Sequence, residues 1–106
     1  EAIGNLKPNF TALKQVPVRG IICSSKSERY DFVSRFFAPG AGIDEDPVTG
    51  SAHTKLVPYW AEVLKKEKLL AKQISKRGGE LKCNLLGDRV KLSGEAKLFL
   101  KGEIYI

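Results

Sequence analysis

A change of hydrophobic period near residue 51 constrains the fold of this chain more than any other feature. Up to that point, and again after Lys68, apolar residues come in short runs of strand length, whereas between them they recur at helical spacing. The apolar positions of that helix are Leu56, Val57, Trp60, Val63 and Leu64. Several strands must each bury one face, and this helix is the large apolar object able to cover them. The pattern predicts an α+β fold, in which an antiparallel sheet or partial barrel wraps around one central helix.

The expected strands are short and are separated by turn residues, many of them glycine. Runs 16–23 and 30–38 precede the helix and are expected to pair, the second as a half-buried strand. The runs that follow the helix form a predicted meander: 71–76, 80–86, 89–92 and 96–101, with 104–106 as a candidate last strand. Residues 43–49 are expected to form a loop. A short helix is expected after Pro8.

Pro58 lies inside the helical pattern. Proline removes one backbone donor and crowds the preceding turn, so it either bends a helix or begins one. A helix that began at Pro58 would leave apolar residues 51–57 in a loop. The sequence therefore favours one helix that starts near Ser51 and is kinked at Pro58.

Length and charge exclude several classes of protein. A chain of 106 residues allows a single domain, and 42% apolar with 28% charged residues is typical of globular proteins. No apolar run approaches the ~20 residues of a membrane helix, so no membrane partner is expected. The net charge of +6 suggests nucleic acid, but the lysines are scattered and the densest group, Lys65 to Lys68, is interrupted by Glu67. Without a zinc-finger or RNA-binding signature, no nucleic-acid partner is expected.

The two cysteines, Cys23 and Cys83, lie far apart and match no metal-binding spacing. Their apolar neighbours predict buried free thiols. Free thiols fit a reducing, cytoplasmic location, although a single disulfide stays open as an alternative.

One segment carries most of the candidate chemistry: the acidic loop and helix start from Asp44 to His53. Thr49 or Gly50 is expected to cap the helix, and the first amides of the helix, at Gly50, Ser51 and Ala52, are unpaired donors at the positive end of the helix dipole. Such an arrangement binds a carboxylate or a phosphate. The preceding acids could cap the same amides, or one of them could face a ligand as a proton acceptor.

Plain helix capping is the simpler interpretation of this segment, and sharper motifs are missing from it. The segment lacks the Gly-Lys-Ser/Thr ending of a P-loop and does not fit G-x-S-x-G. Ser51 and His53 are two positions apart on a helix, so they point to different faces and do not form a nucleophile pair. His53 is expected to be a structural hydrogen bonder, and a lone histidine is a poor metal ligand, so no metal site is predicted.

The same segment resembles the signature of the PhzF-type phenazine-biosynthesis family. Three neighbouring segments resemble family segments in the expected order: 35–43, 58–61 and 77–81. The resemblance runs from about Val16 to the C-terminus. It implies a diaminopimelate-epimerase-like fold, with two similar domains, each a sheet around a helix, and an active site between them. It also implies an isomerisation by proton shift on a small cyclic amino acid, without metal or organic cofactor.

The resemblance assigns roles to particular residues. Asp46 matches the cleft aspartate of the family and would hold or move the proton, and Ser51 matches the serine five positions later. Ser51, with Thr49, Gly50 and Ala52, would bind the substrate carboxylate. Glu45 and His53 are secondary candidates. The principal acid-base glutamate and the active-site histidine of the family lie in its N-terminal half and match nothing here.

The resemblance further implies that residues 1–106 are the C-terminal domain, or most of it, of a longer isomerase. The chain begins at Glu1 and contains no Met, which fits a piece of a longer protein that is inactive alone. The expected partners are a small carboxylate-bearing substrate and the missing N-terminal half, with which 102–106 would pair, and a homodimer is also allowed. The alternative is a binding or scaffolding protein that keeps the fold without the chemistry.

Overall fold

The computed structural model describes residues 2–106, which fold as a mixed sheet packed against one long helix. A 3-10 turn at Ile3–Asn5 and a short helix precede the sheet. The helices are α1 (Phe10–Lys14) and α2 (Gly50–Leu64). The strands are β1 (Ile21–Lys26), β2 (Phe32–Ala38), β3 (Ile43–Glu45), β4 (Lys68–Gln73), β5 (Gly79–Leu86) and β6 (Arg89–Ser93). This is the α+β class that the sequence predicts.

The strand order is β1-β2-β4-β5-β6, and β3 pairs with the far end of β2. Strands β1 and β2 are antiparallel, as are β4, β5 and β6, which form the predicted meander. Strands β2 and β4 are parallel, with Phe32 opposite Ala71 and Ser34 opposite Gln73. The sheet is therefore mixed rather than wholly antiparallel, because α2 crosses over between these two strands and returns the chain in the same direction.

Helix α2 supplies the centre of the hydrophobic core. Its buried side chains include Leu56, Val57 and Trp60, which pack with Phe32 and with inward-facing residues of β4 and β5. The rings of Phe32 and Trp60 are stacked, with centroids 5.8 Å apart. Helix α2 continues through Pro58, as the sequence favours, and ends where Lys65 adopts a left-handed conformation with φ of 56°. Val63, which the sequence predicts to be part of the apolar stripe, is half exposed and does not belong to the buried face of the helix.

Strand β2 is central and buried on both faces, not half-buried as expected. Phe32 and Phe36 face α2, whereas Val33 and Phe37 lie on the opposite face. The N-terminal segment covers that second face: the Phe10 ring meets the Phe37 ring edge to face. Simple alternation fails here because both faces of the strand have an apolar neighbour.

Several element boundaries differ from the sequence prediction. Residues 43–45 of the expected loop form β3, and β4 spans Lys68–Gln73 rather than 71–76. Strand β1 begins at Ile21 rather than Val16, since Pro17 and Gly20 interrupt the earlier run and a side chain at Gly20 would collide with the Phe36 ring. Residues 24–26, which follow the predicted run 16–23, are part of β1, where Ser24 accepts a hydrogen bond from the indole nitrogen of Trp60 at 2.8 Å.

The predicted strands 96–101 and 104–106 do not form within the described part of the chain. Their side chains are exposed, Phe99 by 98%, and residues after Ser93 pair with none of the described strands. These apolar residues therefore lack a neighbouring strand to complete a ladder.

Both cysteines in the described range are free thiols. Cys83 is buried in the core, and burial raises the pKa of its thiol to about 11, so this side chain behaves as a small apolar group. Among residues 2–106, no helix combines the length and the apolarity needed to cross a bilayer.

Candidate functional site

The loop that joins β3 to α2, residues 46–49, lies beside the end of β4. Its first residue is anchored to the sheet, because the Asp46 amide donates to the Phe36 carbonyl at 3.0 Å. The loop is anchored at its other end by the side chain of Gln73, the last residue of β4. A rigid sheet thus holds the candidate site on both sides.

The start of α2 is exposed and lacks a side-chain cap from any of residues 2–106. Thr49 occupies the N-cap position, but its hydroxyl donates to Oδ2 of Asp46 at 2.6 Å instead of accepting from the helix. Gly50 and Ser51 are exposed and Ala52 is buried. The first-turn amides therefore keep their donor capacity and the positive end of the dipole for an anion.

Capping of α2, one of the two roles that the sequence leaves open for the acids, is not the role of Asp46 or Glu45. Asp46 accepts from Thr49, and Glu45 forms a two-pronged ion pair with Arg35, at 2.9 and 2.8 Å. The hydrogen bond to Glu45 raises the pKa of Arg35 against the opposing effect of burial. Arg35 also donates to the carbonyls of Ile3 and Leu6, so Glu45 helps to fasten the N-terminal segment to the sheet.

Gln73 is the residue that organises this loop, and it is completely buried. Its Oε1 accepts from the Thr49 amide at 2.8 Å, and its Nε2 donates to the Asp46 carbonyl at 2.8 Å and to Thr49 Oγ1 at 3.0 Å. A buried primary amide with every one of these groups satisfied is a stable anchor.

His53 lies one turn into α2 and is also completely buried. Its Nδ1 lies 2.7 Å from the Thr49 carbonyl oxygen, and its Nε2 lies 3.5 Å from Ser34 Oγ on β2. The structure therefore places His53 behind the loop as a hydrogen bonder between helix and sheet, where its ring offers no surface to a ligand.

A second turn, between β4 and β5, forms the wall next to the loop. Ser75 Oγ donates to the Pro47 carbonyl at 2.8 Å and accepts from the Gly78 amide at 2.9 Å. Gly79 lies so close to Val48 that a side chain there would collide with it. Gly50, Arg77 and Gly78 line one open cavity of about 970 Å³, which places a cationic side chain near the helix start.

The structure thus brings together Asp46, Thr49, Gly50 and Ser51. Glu45 is instead paired with Arg35, and His53 is buried behind the loop, where it bonds the Thr49 carbonyl. Sequence reasoning missed Gln73 and Ser34, which belong to no motif. A signal was present for Gln73: the α2-facing positions of β4 are Leu69, Ala71 and Gln73, and a polar residue in such a row needs partners. Within residues 2–106 there is no cluster of three or more potential metal-ligating side chains.

Comparison with known proteins identifies the family to which the chain belongs. The model of the family described as phenazine biosynthesis-like protein matches residues 1–102. An uncharacterized isomerase of Pseudomonas aeruginosa is 54% identical over 104 residues, covering 98% of this chain and 40% of that protein. A phenazine biosynthesis-like domain-containing protein of mouse is 48% identical over 107 residues, covering 94% of the chain and 37% of the relative.

A solved structure shares the fold. The crystal structure of a phenazine biosynthesis protein of the PhzF family from Enterococcus faecalis aligns with a TM-score of 0.88 and 46% identity. The alignment covers 98% of this chain and 40% of that one. The chain therefore spans about 40% of the length of the proteins that it matches.

Proposed function

This chain belongs to the phenazine biosynthesis-like protein family, and on that premise we propose that it is the C-terminal part of a cofactor-independent isomerase. Relatives that it matches closely are named isomerases. The reaction we propose is a proton shift on a small carboxylate-bearing substrate, of the cyclic amino-acid type. A cytoplasmic location is part of the proposal and is supported by the two free thiols.

The observation that carries the proposal is the exposed, uncapped start of α2 beside an anchored carboxylate. The Gly50 and Ser51 amides are free to hold the carboxylate of a substrate, and Ser51 has an exposed hydroxyl next to them. The Asp46 carboxylate lies at the same helix start, where its Oδ2 accepts a hydrogen bond from the Thr49 hydroxyl. A pinned substrate next to a positioned acid-base group is the arrangement that a proton shift requires.

The proposal needs a second half of the protein. In the family resemblance, the principal acid-base glutamate and the active-site histidine come from the N-terminal half, so this chain alone is expected to be inactive. The exposed apolar side chains of Leu98, Phe99 and Ile104 are suited to pair with that half. They would complete a ladder that residues 2–106 leave open.

The deciding experiment replaces Asp46 by Asn in the full-length protein. Turnover is expected to fall by two orders of magnitude or more, since a positioned acid-base group contributes about 10²–10⁴-fold, while the folded state is kept. Asp44→Asn is the matched control, because Asp44 is exposed on β3 two positions earlier. Normal turnover in Asp46→Asn, with altered stability alone, would mean that Asp46 only stabilises the loop through its bond to Thr49. A full-length protein that turns over no carboxylate substrate would favour the binding or scaffolding alternative.

The anion site has its own test. Crystals soaked in sulfate or a small carboxylate are expected to show an anion at the amides of Gly50, Ser51 and Ala52. An empty helix start at high anion concentration would count against the site.

A further inference from the structure

Three lysines gather on the outer face of strands β4, β5 and β6, the face turned away from α2. In the strand register, Lys68 lies opposite Asn84, and Asn84 lies opposite Lys91, which makes one row across the three strands. Lys82 belongs to the next row on the same face, and the alternate residues of these strands are buried in the core. Because neighbouring strands are about 4.8 Å apart, the backbones of the three lysines lie within about 10 Å of one another.

Between these lysines the sheet surface contains an open cavity of about 460 Å³, which we call the basic depression. Its lining includes Lys68, Lys82, Lys91, Leu70, Asn84 and Ser93. Leu70 and Asn84 are half-buried, so they place an apolar surface and a side-chain amide between the charged groups. Ligand pockets typically measure about 300–1,000 Å³, so the basic depression has room for a small molecule.

The charge of the three lysines is not balanced by ion pairs within residues 2–106. The ion pairs of that range are Arg35 with Glu45 and Lys66 with Asp31. Asp31 also lines the basic depression, but its Oδ1 accepts from Lys66 and its Oδ2 accepts from the Leu70 amide. Both oxygens of this carboxylate are therefore already bonded.

Glu80 is the next acid on the same face, and it belongs to a separate group. It lies one row beyond Lys82, opposite Lys72, and its Oε2 accepts from the Tyr30 hydroxyl at 2.6 Å. The Lys72 ammonium in turn lies over the Tyr30 ring, 5.7 Å from its centroid. The basic depression therefore keeps a surplus of positive charge that these acids do not neutralise.

We propose that the basic depression binds the diphosphate group of a small molecule. A lysine ammonium is a compact charge on a flexible stem and binds phosphate oxygens from several directions, so three of them can converge on one multiply charged group. The Asn84 amide and the Ser93 hydroxyl are suited to donate to further oxygens. Leu70 offers an apolar contact to the organic part of the ligand.

The basic depression is separate from the candidate site at the start of α2. Lys68 is the first residue of β4, whereas Gln73, which holds the loop 46–49, is the last. A strand rises about 3.3 Å per residue, so the two ends of β4 lie about 16 Å apart. The inference is therefore independent of the proposed isomerase chemistry.

A single-stranded nucleic acid fits this face less well than a small anion. Such strands stack their bases on exposed aromatic side chains along a groove that spans several nucleotides. No aromatic side chain of residues 2–106 lines the basic depression, and its three lysines form a compact group rather than a track. The small anion is therefore the occupant that the charge and the shape favour.

Calorimetry with inorganic pyrophosphate and the full-length protein tests the proposal. Lys82→Gln with Lys91→Gln removes two of the three charges and is expected to raise the Kd for pyrophosphate about 10-fold or more, because bonds to charged groups are strong. The matched control, Lys14→Gln with Lys55→Gln, removes two exposed charges elsewhere and should raise the Kd about twofold or less, since distant charges are screened. Orthophosphate should bind about 10-fold more weakly than pyrophosphate, because it engages fewer of the lysines.

Amide shifts measured by NMR locate the bound anion. Pyrophosphate is expected to move the amide resonances of Lys82, Asn84 and Lys91. Shifts confined to Gly50 and Ser51 would assign the anion to the helix start and overturn the proposal. No binding at millimolar pyrophosphate, or equal losses in the two double variants, would also overturn it.

A short single-stranded RNA is the last probe. At physiological salt it is expected to bind more weakly than pyrophosphate. If the RNA binds more tightly, and Lys82→Gln with Lys91→Gln weakens it, the face is a nucleic-acid surface and the diphosphate assignment is wrong. Both lysines are exposed, so the variants are expected to keep the wild-type melting temperature. None of these measurements depends on turnover, so a failure here leaves the proposed function untouched.

Discussion

The Nδ1 atom of His53 lies 2.7 Å from the carbonyl oxygen of Thr49, and His53 is completely buried. A carbonyl oxygen only accepts, so Nδ1 carries the proton of the neutral ring and Nε2 is left to accept from Ser34. Burial lowers the pKa of His53, and the bond to Thr49 offsets this in part. The folded protein therefore holds the neutral form.

This geometry predicts a pH dependence of stability. An unfolded histidine takes up a proton near pH 6.5, whereas the folded ring does so at lower pH. The full stability is present above pH 6.5 and is lost as the pH falls from there to the folded pKa, by at most about 1.4 kcal/mol per pH unit. Urea unfolding at pH 7.5 and 5.5 measures the loss. His53→Gln should flatten it, since the chain has one histidine, and equal slopes in both proteins would contradict the assignment.

The carboxylate of Asp31 has two hydrogen-bond partners, and we expect them to contribute differently to the stability of the fold. Its Oδ2 accepts from the Leu70 amide at 2.7 Å, and its Oδ1 accepts from Lys66 at 2.6 Å. Burial raises the pKa of Asp31, but these bonds outweigh it and the pKa lies below its ordinary value. The stability that Asp31 contributes is present above its unfolded pKa and is lost as the pH falls through the lower, folded pKa.

Asp31→Asn is expected to cost about 1–3 kcal/mol, because it weakens a bond to a backbone amide in the seam between β2 and β4. Lys66→Gln should cost less than about 1 kcal/mol, since Lys66 is half exposed and its ion pair is screened. Chemical denaturation of both variants at pH 7 measures the difference. Equal losses would mean that the ion pair, rather than the backbone bond, carries the effect.

The close contact between Gly79 and Val48 predicts that a smaller residue at position 48 compensates for a larger residue at position 79. A methyl group at Gly79 would collide with Cγ2 of Val48, whose β-branched side chain is stiff. Gly79→Ala is therefore expected to destabilise by about 1–3 kcal/mol and to shift the amide resonances of the 46–49 loop. Adding Val48→Ala should recover part of the loss. A double variant with the sum of both single losses would show that the two residues do not meet.

The C-terminal segment predicts a deletion without a stability cost. Leu98, Phe99 and Leu100 are exposed, so removing residues 96–106 from the 106-residue chain should change its unfolding free energy by less than about 0.5 kcal/mol. Leu92→Ala, in β6, should cost about 2 kcal/mol because its side chain packs against the core. Urea unfolding compares the two, and a large loss on deletion would mean that the segment folds back on the sheet in solution.

The sequence predicts those features that repeat along the chain. The apolar spacing identifies α2, and the glycine turns identify the meander of β4 to β6. The parallel seam between Phe32 and Ala71 is missed because it joins residues far apart in sequence. The tail is misassigned because a run with strand propensity forms a ladder only when a neighbour is present.

For the candidate site, the loop and the helix start are evident from Asp46 to Ser51, because acids, glycine and a helical period adjoin there. The partners of these groups are not evident. Gln73 reaches the loop through the sheet register, and Thr49 directs its hydroxyl to Asp46 rather than to the helix because Gln73 occupies its acceptor side. These hydrogen-bond partners depend on which buried donors and acceptors the fold brings together, and the local sequence does not determine that.

The parallel seam between β2 and β4 has a kinetic consequence. The segment that must loop out before this seam can close contains the whole candidate site, from Asp46 through the first turn of α2. Closing such a loop costs chain entropy, and this free-energy cost is offset only when the distant strands make their contacts. Because Gln73 sits in the seam and holds the loop, we expect the loop to reach its final arrangement only after β2 and β4 have paired.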